Sequence, residues 1–243
     1  MFVGNGTKKK IVFITTRLFW PADSGRKVSL YHYCKGLHEQ LGYDVFVYSF
    51  LEGGQKAEEA RLFPDFIEDV RVASPVSSVT KVKNLAAAAF NVHMPFQCAL
   101  YRSGENCSAI RAFCETVKPD VVMIDMIRLA PYIDALDGLD CPVVLDYDDL
   151  LSKRYSRQIG KKGGNLLGNY ATQTSGLIDR FVSNGTVKDA ILSLESRHVR
   201  KAEDWYARRA DAVLFVSPNE TSELDARLGI SKCFSATVGA EIG

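Results

Sequence analysis

The sequence has 243 residues, of which 47% are hydrophobic and 24% are charged; this composition is typical of globular proteins and argues against a disordered chain. Its 30 lysines and arginines nearly balance its 29 acidic residues, so the formal net charge is only +1. Without an overall basic field, we expect no nucleic-acid partner. The length fits one large α/β domain or two small ones.

No membrane span and no disulfide framework are predicted. The apolar run near the N-terminus is about ten residues long and includes Arg17, so it is too short and too charged for a membrane span or a signal peptide. The six cysteines form no C-x-x-C pair, and no histidine stands at zinc-finger spacing. We therefore predict a cytoplasmic protein with reduced thiols and no bound metal.

Short apolar runs alternate along the chain with longer stretches of helical period. The runs that predict strands are 11–16, 44–50, 68–73, 121–125, 143–146, 212–217 and a last one within 232–238. Strands that are almost entirely apolar are buried on both faces, as in parallel sheets covered by helices. The sequence therefore predicts an α/β fold, Rossmann-like, with a doubly wound and mostly parallel sheet.

Residues 151–210 interrupt this alternation, because a single crossover helix needs far fewer residues. The segment contains a glycine-rich joint and predicts two or three helices. We interpret it as a helical insertion, a subdomain or flap, within one domain that covers residues 1–238.

Ligands of open parallel sheets bind beyond the carboxyl ends of the strands, which makes the loops there candidate sites. The loop after the first strand holds Ser24, Gly25 and Arg26. Gly25 permits a tight turn, and the free N–H groups at the start of the next helix can bind an anion. The loop matches neither the dinucleotide fingerprint nor a Walker A sequence. It also fits a simple turn in which Ser24 or Asp23 is the N-cap of the helix.

Two more candidate segments follow the fourth and fifth predicted strands. In the first, Arg128 can hold a phosphate or carboxylate by two parallel hydrogen bonds, and it also fits an ordinary surface arginine. In the second, Asp146, Asp148 and Asp149 stand close together, and Arg154 follows. Crowded carboxylates have shifted pKa values, and one of them can accept a hydrogen bond or a proton from a sugar hydroxyl. The same residues also fit a helix N-cap with an Asp–Arg pair.

Five segments, in order along the chain, resemble the N-terminal half of a family 4 glycosyltransferase of the two-domain GT-B architecture. They are KIVFITTRLFWPADSGRKVSLYHYCKGL, HMPFQCALYRS, KPDVVMIDMIRLAPYI, PVVLDYDDLLSKRY and RRADAVLFVSPNETSEL. The resemblance implies a retaining enzyme that moves a sugar from a nucleotide sugar to an acceptor hydroxyl. It implies no metal or other cofactor, and a glycan or a lipid-linked glycan as the acceptor.

The resemblance also implies roles for the candidate residues. Those expected to bind substrate or phosphate are Ser24, Gly25, Arg26, Arg128 and Arg154. Ser24 stands where the family often has the first of two glycines, and this loop would approach the donor diphosphate. Asp146 and Asp149 would face the cleft as the catalytic candidates, with Asp149 positioning the acceptor.

Residues 239–243 resemble the start of the family's interdomain linker, so we expect a donor domain to follow. The chain is then the acceptor-binding half of an enzyme and is inactive alone. Within the insertion, residues 161–170 form a basic and apolar edge that fits a peripheral membrane contact, or helix packing instead. The alternative function is a non-catalytic binding or assembly module with the same fold.

Overall fold

The computed structural model describes residues 8–23, 25–158 and 185–236 of the chain. Within these residues seven strands form one sheet: β1 (Lys10–Thr15), β2 (Asp44–Ser49), β3 (Ile67–Val72), β4 (Val121–Asp125), β5 (Val143–Asp148), β6 (Ala212–Phe215) and β7 (Cys233–Ser235). Their spatial order is β3-β2-β1-β4-β5-β6-β7, and every pairing is parallel. The predicted α/β fold is confirmed.

Helices cover both faces of the sheet. The described α-helices are α1 (Gly25–Glu39), α2 (Ser78–Ala88), α3 (Phe96–Tyr101), α4 (Gly104–Val117), α5 (Leu151–Ser156), α6 (Gly185–Arg209) and α7 (Pro218–Leu228). Two 3-10 helices span Ala57–Arg61 and Ile127–Leu136. Successive strand residues point to opposite faces, so Phe13 joins the core shared with α1 while Ile14 joins the larger core shared with α4 and α6.

The strand order reverses beside β1. The chain moves outward from β1 through β2 to β3, and then returns to place β4 on the other side of β1. The register pairs Ile11 with Val121 and Ile14 with Ile124. The loops that leave β1 and β4 therefore diverge to opposite faces, which opens a crevice at the carboxyl edge where ligands of such sheets bind.

The predicted helical insertion is described only at its two ends. Residues 159–184 lie outside the described residues, and so does the basic edge predicted at 161–170. The flanking helices α5 and α6 pack on each other, and α6 places Leu192, Val199 and Tyr206 in the larger core. These two helices are thus integral to the domain, and the separate subdomain stays a prediction.

The described helices include none that is both long enough and apolar enough to cross a membrane.

The residue that follows α4 offers a test of how the chain leaves a helix. Lys118 follows α4 with a φ of 53°, and its N–H donates to Cys114 O at 2.8 Å. Glycine adopts this left-handed conformation without a steric cost from Cβ. We expect Lys118→Gly to raise the free energy of unfolding by about 0.5 kcal/mol in urea denaturation.

Gly229→Ala tests the opposite substitution, from glycine to a residue with Cβ, at the left-handed position after α7, where φ is 63°. It should lower the free energy of unfolding by about 1 kcal/mol. Effects of the same sign at both positions would contradict the assignment of left-handed caps.

Candidate functional site

A cleft of about 290 Å³ lies at the carboxyl edge of the sheet, beside the reversal of strand order. The loops after β1, β2, β4 and β5 and the start of α1 contribute its lining, which consists of Arg17, Arg26, Glu52, Met126, Arg128, Asp148 and Arg154. A larger pocket of about 520 Å³, lined by the residues just before β4 and β5, opens at the opposite edge. We take the smaller cleft as the candidate site because ligands of parallel sheets bind beyond the carboxyl ends.

An arginine held by three aspartates forms one wall of the cleft. Arg26 Nε donates to Asp125 Oδ1 at 2.9 Å and Nη1 donates to Asp148 Oδ1 at 3.3 Å, while Nη2 pairs with Asp146 Oδ2. Only 6% of the Arg26 side chain is exposed. One cation among three carboxylates leaves a formal charge of −2 in this group.

The register of the sheet brings these carboxylates together. Asp125 ends β4 and stands opposite Asp146 on β5. Asp125 Oδ2 also accepts hydrogen bonds from Thr16, at 2.8 Å from Oγ1 and 3.3 Å from the backbone N–H. The ends of β1, β4 and β5 and the start of α1 are therefore tied to one buried cluster, which fixes the shape of the cleft.

Burial shifts the pKa values in this cluster. Loss of hydration raises the pKa of Asp146 to about 6, with Arg26 opposing the shift and Asp125 adding to it. Burial also raises the pKa of Asp148, again against the attraction of Arg26. Burial disfavours the charged form of Arg26, yet the three carboxylates hold its pKa above the ordinary value. Arg26 thus stays charged while Asp146 can take up a proton near neutral pH.

A second arginine–aspartate pair stands at the rim. Arg154 Nε and Nη2 both donate to Asp149 Oδ2, at 2.8 and 2.5 Å. The two side chains are 43% and 30% exposed, so a ligand in the cleft can reach them. Within the described residues, Asp149 Oδ1 accepts no hydrogen bond although it is buried. An unused carboxylate oxygen beside a cleft can accept a hydrogen bond from a ligand hydroxyl.

Two further arginines complete the lining. Arg17 follows β1 and pairs with Glu52 at 2.8 Å. Arg128 belongs to the 3-10 helix Ile127–Leu136, is buried, and donates from Nε to Gln97 Oε1 at 2.9 Å. These contacts hold the two guanidinium groups in fixed positions in the lining of the cleft.

Helix α6 holds Arg128 in position indirectly, through its contacts with α3. Glu195 is buried on α6 and accepts hydrogen bonds from the N–H groups of Phe96 and Gln97 at 2.9 and 3.2 Å. These are the first N–H groups of α3, which a carboxylate stabilises as a cap. Since Gln97 in turn binds Arg128, the chain of contacts runs from Glu195 to the cleft.

Two lining residues have strained backbone conformations. Met126 and Asp148 both have a φ of 65°, which non-glycine residues rarely adopt. Met126 N–H donates to Asp146 O at 2.7 Å, so the strained turn after β4 is fastened to β5. Strain of this kind clusters at binding sites, where surrounding contacts hold it in place.

The structure gathers most of the predicted site residues at this cleft. Arg26, Arg128 and Arg154 contribute to its lining, and Asp149 binds Arg154 at the rim. Arg128 is a buried residue of a 3-10 helix, which excludes the alternative of a surface arginine. The substrate-binding and catalytic roles of these residues stay predictions.

Of the remaining predicted residues, Asp146 is more buried than expected, whereas Gly25 makes the expected tight turn. Asp146 has a side-chain exposure of 2% and lies against Arg26, so its carboxylate is positioned to hold Arg26. Gly25 begins α1 with a φ of 38°, as a tight turn requires, and Ser24 lies outside the described residues. The positive charge of Arg26 and Lys27 at this helix start is offset, because Lys27 pairs with Asp23 at 3.0 Å and Arg26 with three carboxylates.

Sequence reasoning missed three charged members of the site: Arg17, Glu52 and Asp125. Arg17 and Asp125 stand at the carboxyl ends of predicted strands, where the rule for parallel sheets directs attention. The positions of Arg17 and Asp125 in the sequence were therefore enough to make both of them candidates. Glu52 also follows a predicted strand, 44–50, by two residues, but nothing in the sequence indicates that it pairs with Arg17.

Among the described residues, no group of three or more His, Cys, Asp or Glu side chains could hold a metal ion. The prediction of a site without metal or other cofactor stays a prediction.

The sheet, its flanking helices and the reversal of strand order define a Rossmann-like fold. The chain has the fold found in GT-B glycosyltransferases. It is similar to sucrose-phosphate synthase from Thermosynechococcus elongatus, with 12% identity and a TM-score of 0.53 over 96% of this chain and 49% of that one. It is also similar to UGT2 of Phytolacca americana, with 11% identity and a TM-score of 0.51 over 97% of this chain and 52% of that one.

A UDP-glucosyltransferase from Polygonum tinctorium matches at 10% identity and a TM-score of 0.50, over 99% of this chain and 54% of that one. The chain thus spans about half the length of the solved structures that it matches. No family model matches the sequence, and no curated protein matches it significantly. Identities this low establish the fold alone.

Proposed function

We propose that this chain is the acceptor-binding half of a retaining glycosyltransferase of family 4, within the GT-B architecture. A nucleotide sugar, held mainly by a donor domain, supplies a hexosyl group to a glycan or lipid-linked acceptor in polysaccharide or glycoconjugate synthesis. The protein is cytoplasmic and contacts the membrane peripherally. The observation that carries the proposal is the arginine-lined cleft at the carboxyl edge of a sheet with this fold.

The charges of the cleft suit glycosyl transfer. As the bond between sugar and diphosphate breaks, negative charge grows on the leaving group, and fixed cations that face it lower the barrier. Arg154 is the most exposed arginine of the cleft lining, and its pair with Asp149 is partly exposed and therefore weak. Arg26 is held by three carboxylates, so in this proposal it shapes the cleft and binds phosphate only secondarily.

Asp149 is the group that positions the acceptor. Arg154 holds its Oδ2, and Oδ1 accepts no hydrogen bond among the described residues. Because Oδ1 is buried, the carboxylate would turn toward the cleft to accept a hydrogen bond from the acceptor hydroxyl. A hydroxyl fixed in this way attacks with a lower entropic cost. The leaving phosphate can take the proton, so Asp149 need not act as a base.

The test measures acceptor-dependent release of nucleoside diphosphate. The longest product of the reading frame that contains this chain is incubated with UDP- and GDP-sugars and a panel of saccharide and lipid-linked acceptors. We expect release with one donor, and Asp149→Asn should lower turnover by about 100-fold because the amide cannot hold the hydroxyl as well. Calorimetry should give a nearly unchanged affinity for the nucleotide sugar.

The matched control is Asp69→Asn, which changes an aspartate paired with Arg71 on β3, away from the cleft. It should leave turnover unchanged. Absence of release with every donor and acceptor would contradict the proposal. Saccharide binding without any transfer would favour the non-catalytic binding module. Equal nucleotide-sugar affinity of the 243-residue chain alone would contradict its assignment as an acceptor half.

A further inference from the structure

The carboxylate of Glu52 is a buried hydrogen-bond acceptor in the lining of the cleft. Its side chain is only 4% exposed, and neither Oε1 nor Oε2 accepts a hydrogen bond within the described residues. Arg17 Nη2 lies 2.8 Å from Oε2, so the pair is an electrostatic contact without an aligned hydrogen bond. Buried carboxylates normally gain hydrogen bonds that replace their lost hydration. Glu52 therefore keeps a capacity to accept hydrogen bonds that its described neighbours do not use.

The side chain of Gln55 fixes the backbone at Glu52. Gln55 Oε1 accepts hydrogen bonds from the backbone N–H groups of Leu18 and Glu52, at 3.1 and 3.3 Å, and Nε2 donates to Leu18 O at 2.7 Å. The chain turns between Glu52 and Gln55 through two glycines, at positions 53 and 54, whose φ angles of 62° and 86° favour glycine. One amide side chain thus joins the loop after β1 to the loop after β2.

The charges of the Arg17–Glu52 pair decide which chemical group fits beside it. A phosphate that approached Arg17 would also approach the carboxylate of Glu52, and two negative charges repel each other strongly where water is scarce. A hydroxyl group carries no charge and both donates and accepts hydrogen bonds. It can therefore donate to Glu52 and accept from Arg17. The pair suits neutral hydroxyl groups and disfavours an anion.

We propose that Arg17 and Glu52 form a subsite that binds a vicinal diol of the acceptor saccharide. The two neighbouring hydroxyl groups donate to the two oxygens of Glu52, and Arg17 donates to a hydroxyl oxygen. Because both carboxylate oxygens are buried, the Glu52 side chain turns toward the cleft as the diol enters. The inference rests on the proposed function for its choice of a saccharide as the ligand.

The subsite lies apart from the group assigned to the attacking hydroxyl. Arg17 and Glu52 follow β1 and β2, whereas Asp149 follows β5, and β4 lies between β1 and β5. Neighbouring strands are about 4.8 Å apart, so the ends of β1 and β5 are separated by about 10 Å. The diol subsite and Asp149 would therefore hold different parts of one acceptor.

Ligand titrations of the full chain, followed by NMR, test the subsite. The probes are methyl α-mannoside, methyl α-glucoside and methyl α-galactoside, their monodeoxy derivatives, and inorganic phosphate. We expect at least one glycoside to bind, and Glu52→Gln should weaken its binding about tenfold because an amide NH₂ replaces one accepting oxygen. The same change should strengthen phosphate binding about tenfold, since it removes a negative charge beside Arg17.

The monodeoxy derivatives show whether Glu52 contacts the diol itself. A derivative that lacks one hydroxyl of the diol should bind the unaltered protein about tenfold more weakly than the parent glycoside. It should bind Glu52→Gln with little further loss, because the two changes remove the same contact.

The matched control is Glu115→Gln, which changes a glutamate paired with an arginine at the opposite edge of the sheet. Glu115 Oε1 lies 3.0 Å from Arg111 Nε, and both side chains are partly exposed. This variant should bind glycosides and phosphate as the unaltered protein does. Loss of folding cannot imitate the result expected for Glu52→Gln, because an unfolded variant would lose affinity for both ligands.

Three results would overturn the inference: no glycoside binding by the unaltered protein, unchanged glycoside affinity in Glu52→Gln, or no gain of phosphate affinity in the folded variant. Circular dichroism checks the folding. If Glu52→Gln does not fold, the unaltered protein still provides a test, because equal affinity for every monodeoxy derivative would also overturn the inference.

The diol subsite and the proposed function fail separately. Release of nucleoside diphosphate, together with glycoside binding that does not depend on Glu52, would remove the subsite and leave glycosyl transfer in place. Glycoside binding that depends on Glu52, without release from any donor, would remove glycosyl transfer and leave the subsite in place.

Discussion

Replacing Arg26 with methionine is expected to lower the free energy of unfolding by about 3–5 kcal/mol at pH 7. Methionine keeps part of the apolar stem but removes the guanidinium that Asp125, Asp146 and Asp148 share. Asp125 and Asp146 are almost fully buried, so the uncompensated carboxylates would repel one another in a poorly hydrated site. Urea denaturation at fixed pH measures the loss.

Two comparisons isolate the cause. Arg154→Met removes an arginine from an exposed pair and should cost less than about 1 kcal/mol. Adding Asp146→Asn to Arg26→Met should recover part of the loss, because it removes one of the unpaired charges. Equal losses for Arg26→Met and Arg154→Met would mean that the cluster does not hold the ends of the strands together.

The loss also depends on pH in a definite direction. Without Arg26 the pKa of Asp146, already raised to about 6 by burial, should rise further. Protonation then relieves the repulsion in the folded variant. The difference in stability between Arg26→Met and the unaltered protein should therefore shrink as the pH falls from 7 to 5.

The sequence was enough to predict the sheet because its signal is local. Runs such as KIVFIT and VVMID are apolar on both faces, which a parallel strand requires, and they stand where β1 and β4 lie. The rule for open sheets then directed attention to the residues after each strand. It led to Arg26, Arg128 and Arg154, all of which line the cleft.

Pairing within the site could not be predicted, because the partners are remote in sequence. Arg26 binds Asp125 and Asp148, which are 99 and 122 positions away. Three closely spaced aspartates, Asp146, Asp148 and Asp149, indicate crowded charge but not which cation neutralises it. The sheet register sets Asp125 opposite Asp146. This places both carboxylates within reach of Arg26, which becomes their common partner.

The caps of α3 and α5 escaped prediction for the same reason. N-cap rules search the residue just before a helix, whereas Glu195 and Glu203 of α6 bind the first N–H groups of helices far back in the chain. Glu203 accepts from the backbone N–H and the hydroxyl of Ser152, at 2.9 and 2.6 Å. One helix thus fixes both α3, which carries Gln97, and α5, which carries Arg154.

These two glutamates should make the protein less stable as the pH rises. Both are buried, and loss of hydration raises the pKa of each to about 7, against the hydrogen bonds that favour the carboxylate. The ordinary pKa of glutamate applies in the unfolded chain, so the folded state binds more protons between about pH 4.5 and pH 7. Their stabilising contribution is full at low pH and disappears as the pH rises through 7.

The expected loss between pH 5 and pH 8 is about 2 kcal/mol for each glutamate, measured by urea denaturation across that range. Glu195→Gln combined with Glu203→Gln should remove most of this slope, because glutamine keeps the shape and an accepting oxygen but binds no proton. The control Glu223→Gln changes an exposed glutamate whose pKa the Lys153 hydrogen bond lowers, and it should leave the slope intact. An unchanged slope in the double variant would contradict the burial of two protonated carboxyl groups. A flattened slope would mean that protons on α6 govern how firmly the helices bearing Gln97 and Arg154 are held beside the cleft.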